Sequence, residues 1–170
     1  MPLRKLKSVP KIPKSRKKSI DALKNANPIN KKGEIEYIVK AFFYYDKAHK
    51  KQLYVLQVNT VTEFSFLNYQ ISVDVRKEKN VIDISLLGLK AMQSYLVESQ
   101  PATTNLYFEE LYGEYVFNLI KQDGSINSVK YNFNIFKKEI QLVNETIPAK
   151  KNNRKFCKFE VDESQFTFEK

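Results

Sequence analysis

One histidine, one cysteine and a scatter of carboxylates are all that this sequence offers to acid-base or covalent chemistry. His49 lies in "DKAHKK", a lysine-flanked turn between two alternating runs, and reads as a solvated loop residue. Cys157 alternates with Phe156 and Lys158 in a strand-like run, which reads as a packed thiol. A nucleophile with its base would need His49, Cys157 and an orienting third group to converge, and the spacing does not bring them together. One Cys and one His cannot close a structural zinc site. The carboxylates of "FEELYGEY", Glu109, Glu110 and Glu114, are the remaining acid-base candidates. Adjacent residues on a strand point to opposite faces, so Glu109 and Glu110 do not share a site. The four glycines are too scattered to form a phosphate-cradling loop. No enzyme, no cofactor and no metal site is expected.

The chemistry that remains is electrostatic. The chain carries 29 Lys+Arg against 19 Asp+Glu, and the excess of +10 is not spread along it. Residues 1–32 hold eleven basic side chains (Arg4, Lys5, Lys7, Lys11, Lys14, Arg16, Lys17, Lys18, Lys24, Lys31 and Lys32) against the single acid Asp21. The remainder balances 18 basic with 18 acidic groups. This is the pattern of a basic arm on a neutral body, and it divides the chain into an N-terminal arm, 1–32, and one domain, 33–170. Four of the six prolines fall in the arm, whose scattered apolar residues cannot offset the entropy of ordering it alone. An extended, flexible arm is expected, with at most a short helical turn capped by Ser19 and presenting Ile20 and Leu23 on one face.

Lysine-rich segments bind nucleic acids through phosphate neutralisation and counterion release, contacts that position a chain without reading its sequence. A second basic run near the C terminus, "AKKNNRKFCKFE", adds Lys150, Lys151, Arg154 and Lys155 to the expected footprint. Aromatic residues are abundant, 12 Phe and 10 Tyr, but most fall on core-facing positions of alternating runs. Phe42, Tyr44 and Phe136 lie on the opposite faces and are the ones available for base stacking.

The body supplies the elements. From Glu34 the apolar period becomes two: Ile35, Tyr37, Val39, Ala41, Phe43 and Tyr45 share one face. "YQISVDVR" repeats the alternation, and with "VIDIS" across the polar "KEKN" it predicts a hairpin. Asp123-Gly124 predicts a second one between runs lined by Tyr115, Phe117 and Leu119 and by Val129, Tyr131, Phe133 and Ile135. Further strands are expected at 52–60, 63–67, 104–112, 139–143, 155–161 and 165–169. "LGLKAMQSYLVES", residues 87–99, is the only helix candidate of the body, from the spacing of Leu89, Met92 and Leu96. With no helices alternating between strands, the fold class is mainly β: a single antiparallel β-sandwich, jelly-roll or immunoglobulin-like, with an extended basic N-terminal arm.

A basic arm on a β body resembles in layout the tailed ribosomal proteins and the small viral capsid proteins whose arms contact the genome. The expected role is therefore a non-enzymatic structural component of a nucleoprotein assembly. The partners would be RNA or DNA, bound through the backbone, and protein neighbours or further copies of the chain. The alternatives are an interaction module whose arm binds an acidic protein and, third, a carboxylate-dependent enzyme. No apolar run reaches the ~20 residues that span a membrane, and Pro2 excludes N-myristoylation. One cysteine and no apolar leader point to the cytoplasm or a nucleoprotein particle rather than to secretion.

Overall fold

The computed structural model describes residues 14–28, 30 and 32–170, with side chains from Ile20 onward. One helix, α1 (Lys14–Asn25), precedes nine strands. These are β1 (Tyr37–Asp46), β2 (Lys51–Phe64), β3 (Leu67–Glu78), β4 (Val81–Tyr95), β5 (Gln100–Phe108), β6 (Gly113–Lys121), β7 (Ile126–Asn134), β8 (Glu139–Thr146) and β9 (Cys157–Val161). They form two sheets, a four-stranded one in the order β5-β2-β1-β9 and a five-stranded one in the order β3-β4-β6-β7-β8. The mainly β, two-sheet sandwich is as the alternating runs predict.

The period-two pattern decides which side chains fill the space between the sheets. Val39, Ala41 and Phe43 of β1 face Val58, Leu56 and Tyr54 of β2 across the ladder, all buried. From the other sheet come Ile82, Ile84 and Leu86 of β4, Phe117 and Leu119 of β6, and Val129, Tyr131 and Phe133 of β7. The rings meet edge to face: Phe117 lies 5.8 Å from Phe108, 6.0 Å from Tyr131 and 6.2 Å from Phe133. Each buried ring of this kind contributes about 1.5–3 kcal/mol by removal from water. Tyr131 keeps its hydroxyl satisfied by donating to the Glu160 carbonyl at 2.9 Å, which ties β7 to β9 in the other sheet. Asn127 is a second tie between the sheets. Its carbonyl oxygen accepts the amides of Phe156 and Cys157 at 2.8 and 3.0 Å, and its amide nitrogen donates to the Arg154 carbonyl at 2.8 Å.

Four expectations are corrected. The sheets are not wholly antiparallel, because β1 pairs with β9 and β4 pairs with β6 in parallel. A parallel pair needs a crossover connection, and β5, lying in the opposite sheet, supplies the one between β4 and β6. Residues 87–99 are not helical: β4 continues through Leu89 and Met92 to Tyr95, paired with β3 from Gly88↔Ser72 to Tyr95↔Leu67. Strand pairing outweighs the helical spacing, and the register shift beside Gly88, at φ 135°, lets the strand bend there. The only helical turn in the body is the 3₁₀ turn Glu163–Gln165, where a strand over 165–169 is expected; Thr167 still donates its amide to the Phe43 carbonyl at 3.0 Å. Fourth, the arm is not extended between Lys14 and Asn25. Its helix begins five residues before Ser19, across a proline-free run with four lysines.

Tertiary contact explains how so short a helix persists. Ile20 is 5% exposed, Pro28 is buried, and the Asp123-Gly124 turn runs directly beneath Ala26. Gly124 has φ +88°, and a Cβ there would stand 2.5 Å from the Ala26 carbonyl oxygen. Gly124→Ala is therefore expected to combine a left-handed-backbone penalty with a displaced α1, a loss of about 2 kcal/mol. Urea unfolding would measure the loss, and hydrogen exchange would show faster exchange at the Ala26 amide, which bonds to the Ala22 carbonyl.

Candidate nucleic-acid interface

Asp83 sits on the outer face of the five-stranded sheet and is nearly inaccessible, its side chain 5% exposed. A carboxylate this deep must be paired to remain ionised. Lys24 of α1 reaches it at 2.7 Å and Arg76 of β3 at 3.0 Å, while Asn118 donates to its second oxygen at 2.9 Å. Arg76 also pairs with Asp21 of α1 at 2.9 Å. The second half of the helix is thereby clamped over β3, β4 and β6 by a four-charge network, with Ile20 as its buried apolar contact. Burial alone would raise the Asp83 carboxyl pKa. The bonds from Lys24, Asn118 and Arg76, with the Lys24 charge, outweigh it and hold the group below its ordinary value.

The expected nucleic-acid-binding residues fall into three sets. Arg4, Lys5, Lys7, Lys11 and Lys31 lie outside the described residues, and Lys14, Arg16, Lys17 and Lys18 occupy the first half of α1. Lys32 and Lys151 are exposed. The remaining four are engaged by the protein itself. Lys24 is held by Asp83. Lys150 donates to the carbonyls of Lys24 and Gly124 at 2.5 and 2.8 Å, and burial lowers its pKa. Arg154 is 8% exposed and lies 3.5 Å from Asp123 and 3.6 Å from Glu36. Lys155 pairs with Glu145 at 3.1 Å. The C-terminal basic run thus serves mainly to fasten the arm and the β6–β7 turn, and Lys151 is its one exposed cation without a salt bridge among the described residues.

The stacking candidates divide similarly. Phe42 is 5% exposed, while Tyr44 is 40% exposed beside Tyr107, ring centroids 6.2 Å apart. Phe136 is 85% exposed at the β7–β8 turn, 5.9 Å from Tyr112. None of the acid-base candidates converges on another. His49 Nδ1 is 2.6 Å from Asp46 in an exposed turn, and Glu109 and Glu114 pair with Lys51 and Lys130. Cys157 is buried, which raises its thiol pKa. Among the described residues, no three His, Cys, Asp or Glu side chains are grouped to hold a metal, and no helix is long and apolar enough to cross a membrane.

Sequence reasoning missed the Asp83 clamp, although Asp21, the lone acid of the arm, was its visible trace. It also missed an apolar tip formed by the β2–β3 and β4–β5 turns. Leu96 donates its amide to the Phe66 carbonyl at 2.9 Å and Ser65 meets Ser99 at 3.0 Å, so the two turns lie together with Phe66, Tyr95 and Val97 almost fully exposed.

No protein-family model, curated protein or solved structure matches the chain.

Because the folded pKa of Asp83 lies below its unfolded value, its contribution to stability is complete above the ordinary aspartate range, near ~4, and is lost as pH falls through the folded value. Asp83→Asn is expected to cost on the order of 2 kcal/mol at pH 7 and to abolish that acid-side component. Urea unfolding as a function of pH gives the answer. Wild type and variant losing stability in parallel from roughly pH 5 to pH 2 would show that this carboxylate is not the anchor.

Proposed function

We propose that the protein is a non-catalytic structural component of a nucleoprotein assembly, in which the N-terminal segment neutralises nucleic-acid phosphates and the β-sandwich docks on protein neighbours. The observation that carries this reading is the distribution of charge. Residues 1–19 contain eight basic side chains and no acid. Of the cations that follow, Lys24 and Lys150 hold the arm to a neutral body and Arg154 is neutralised inside it. The phosphate-binding segment is accordingly 1–19, and the second half of α1 acts with the body. Lysine predominates, six of the eight against Arg4 and Arg16, which suits diffuse backbone neutralisation rather than bidentate base reading. The apolar tip with Phe66, Tyr95 and Val97 supports the docking half of the role. Such a role needs a rigid two-sheet body, of jelly-roll or immunoglobulin-like topology alike, and is compatible with the cytoplasm or a nucleoprotein particle.

Eight phosphate contacts on a duplex give a salt slope, log Kobs against log salt, near roughly −7. Filter binding with the full chain should show it. The triple variant Arg16→Glu, Lys17→Glu, Lys18→Glu should flatten it to roughly −4 or less, whereas Lys151→Glu should change it by no more than about one. Binding that ignores ionic strength, or that the triple variant leaves intact, would remove the arm from the mechanism and favour an acidic protein as its partner.

A further inference from the structure

The outer face of the four-stranded sheet lies on the side of the sandwich opposite α1. Three regular strands build it, β1 paired with β2 from Tyr37↔Thr60 to Asp46↔Lys51 and β2 paired with β5 from Tyr54↔Phe108 to Asn59↔Thr103. Its outward side chains form one continuous hydrogen-bonded row. Thr103 Oγ1 donates to Asn59 Oδ1 at 2.7 Å, Asn59 Nδ2 to Gln57 Oε1 at 3.2 Å, and Gln57 Nε2 to Asn105 Oδ1 at 3.0 Å. Asn105 Nδ2 then reaches the Tyr107 hydroxyl at 3.5 Å. The row ends at the Tyr107–Tyr44 pair, both rings substantially exposed.

Each primary amide has two N–H donors and a carbonyl with two lone pairs. The row uses one of each on Asn59, Gln57 and Asn105, so every amide keeps one donor and one acceptor for a ligand. A hydroxyl group, donor and acceptor at once, matches such spare pairs. The mutual bonds also fix the amides before any ligand arrives, which lowers the entropy cost of binding. The tyrosine rings add an apolar surface at one end. At the other, a shallow groove of about 330 Å³ runs between Ile38, Lys40, Asn59, Val61, Glu63 and Pro101.

Charge decides the class of ligand. Lys40 pairs with Asp162 at 3.5 Å, Lys158 with Glu160 at 2.6 Å and Lys51 with Glu109 at 3.0 Å, so the cations bordering the row are already neutralised. A phosphate backbone lying here would find little to replace its counterions. An uncharged polyhydroxylated chain needs no such replacement. We infer that the Thr103–Asn59–Gln57–Asn105 row and the Tyr107–Tyr44 pair form a binding face for a neutral polysaccharide. The site is independent of the basic segment and of the role proposed for it.

Affinity electrophoresis of the full chain in native gels containing galactomannan, laminarin or hydroxyethylcellulose tests the inference, these polymers being uncharged and so invisible to the arm. Retardation is expected in at least one of them, with about a ten-fold weaker Kd for Gln57→Ala and for Tyr107→Ala. Tyr107→Phe, which keeps the ring, should retain most of the binding. All three substitutions lie outside the core, and an unchanged Tm would separate lost binding from lost folding. The Arg16, Lys17, Lys18 triple reversal should leave retardation unaltered, which keeps this site distinguishable from the arm. Free migration in all three gels, retardation unaffected by either alanine variant, or poly(U) binding lost in Gln57→Ala and Tyr107→Ala would each overturn the inference.

Discussion

A carboxylate buried on the outer face of a sheet is the constraint around which this protein is arranged. Asp83 cannot stay ionised at 5% exposure without counter-charges, and the body supplies only one directly, Arg76. The second, Lys24, comes from the arm. The local need of Asp83 for a second counter-charge and the arm's surplus therefore meet at one point. There the lysine's value lies in its fixed geometry, not in its availability to a ligand. The pair resembles other buried ion pairs in that replacing both members need not be costly, whereas removing one is. What Asp83 contributes is specificity of placement: it holds Lys24, and this fixes which side of the sandwich the helix covers.

That placement propagates to the far end of α1. Once Lys24 is on Asp83, its carbonyl and that of Gly124 converge on Lys150, and Asn152 donates to the Pro28 carbonyl at 2.9 Å. The β8–β9 connection, the β6–β7 turn and the arm are then one cross-linked corner, with Arg154 neutralised against Asp123 and Glu36 in its interior. The same connection starts β9, whose entry is set by Asn127 through three hydrogen bonds. A run that looks in the sequence like a polybasic patch is physically a joint, because its cations find carbonyls and carboxylates at short range and lose their exposure in doing so.

Much of the fold was legible from period and turn chemistry. Asp123-Gly124 and the Lys79-Asn80 end of "KEKN" are where the hairpins turn, with Gly124 at φ +88° and Lys79 at φ 53°. The alternation at Tyr115, Phe117 and Leu119 names core residues correctly because one face of β6 is sealed by the opposite sheet. The alternation fails as a guide where both faces are covered. Phe42 and Val55, paired across the β1–β2 ladder, fall on the outward positions of the alternation yet are 5% and 2% exposed. The parallel seams were hidden for a different reason: they join segments far apart in the chain, and nothing local distinguishes a strand that will pair in parallel. Of the candidate interface, the net charge of each segment was readable, but the pairing of each lysine was not. Charge counting treats Lys17 and Lys24 as equals, and only the fold reveals that Lys24 has a buried acid opposite it.

The two outer faces of the sandwich consequently differ in kind. The five-stranded sheet carries the second half of α1, clamped to it through Asp83 and Arg76. The four-stranded sheet carries paired charges, amides and tyrosines. Ionic strength acts on them unequally, since salt screens attraction between exposed charges beyond a Debye length, ~8 Å at physiological ionic strength, while leaving short neutral hydrogen bonds nearly unaffected. A polyanion on one face and an uncharged chain on the other would not compete for the same groups, and neither would disturb the aromatic core between them. The separation follows from the Asp83 clamp: a helix bearing the arm's charge, docked instead over Gln57 and Asn59, would have buried the amide row and brought its cations to the neutral face.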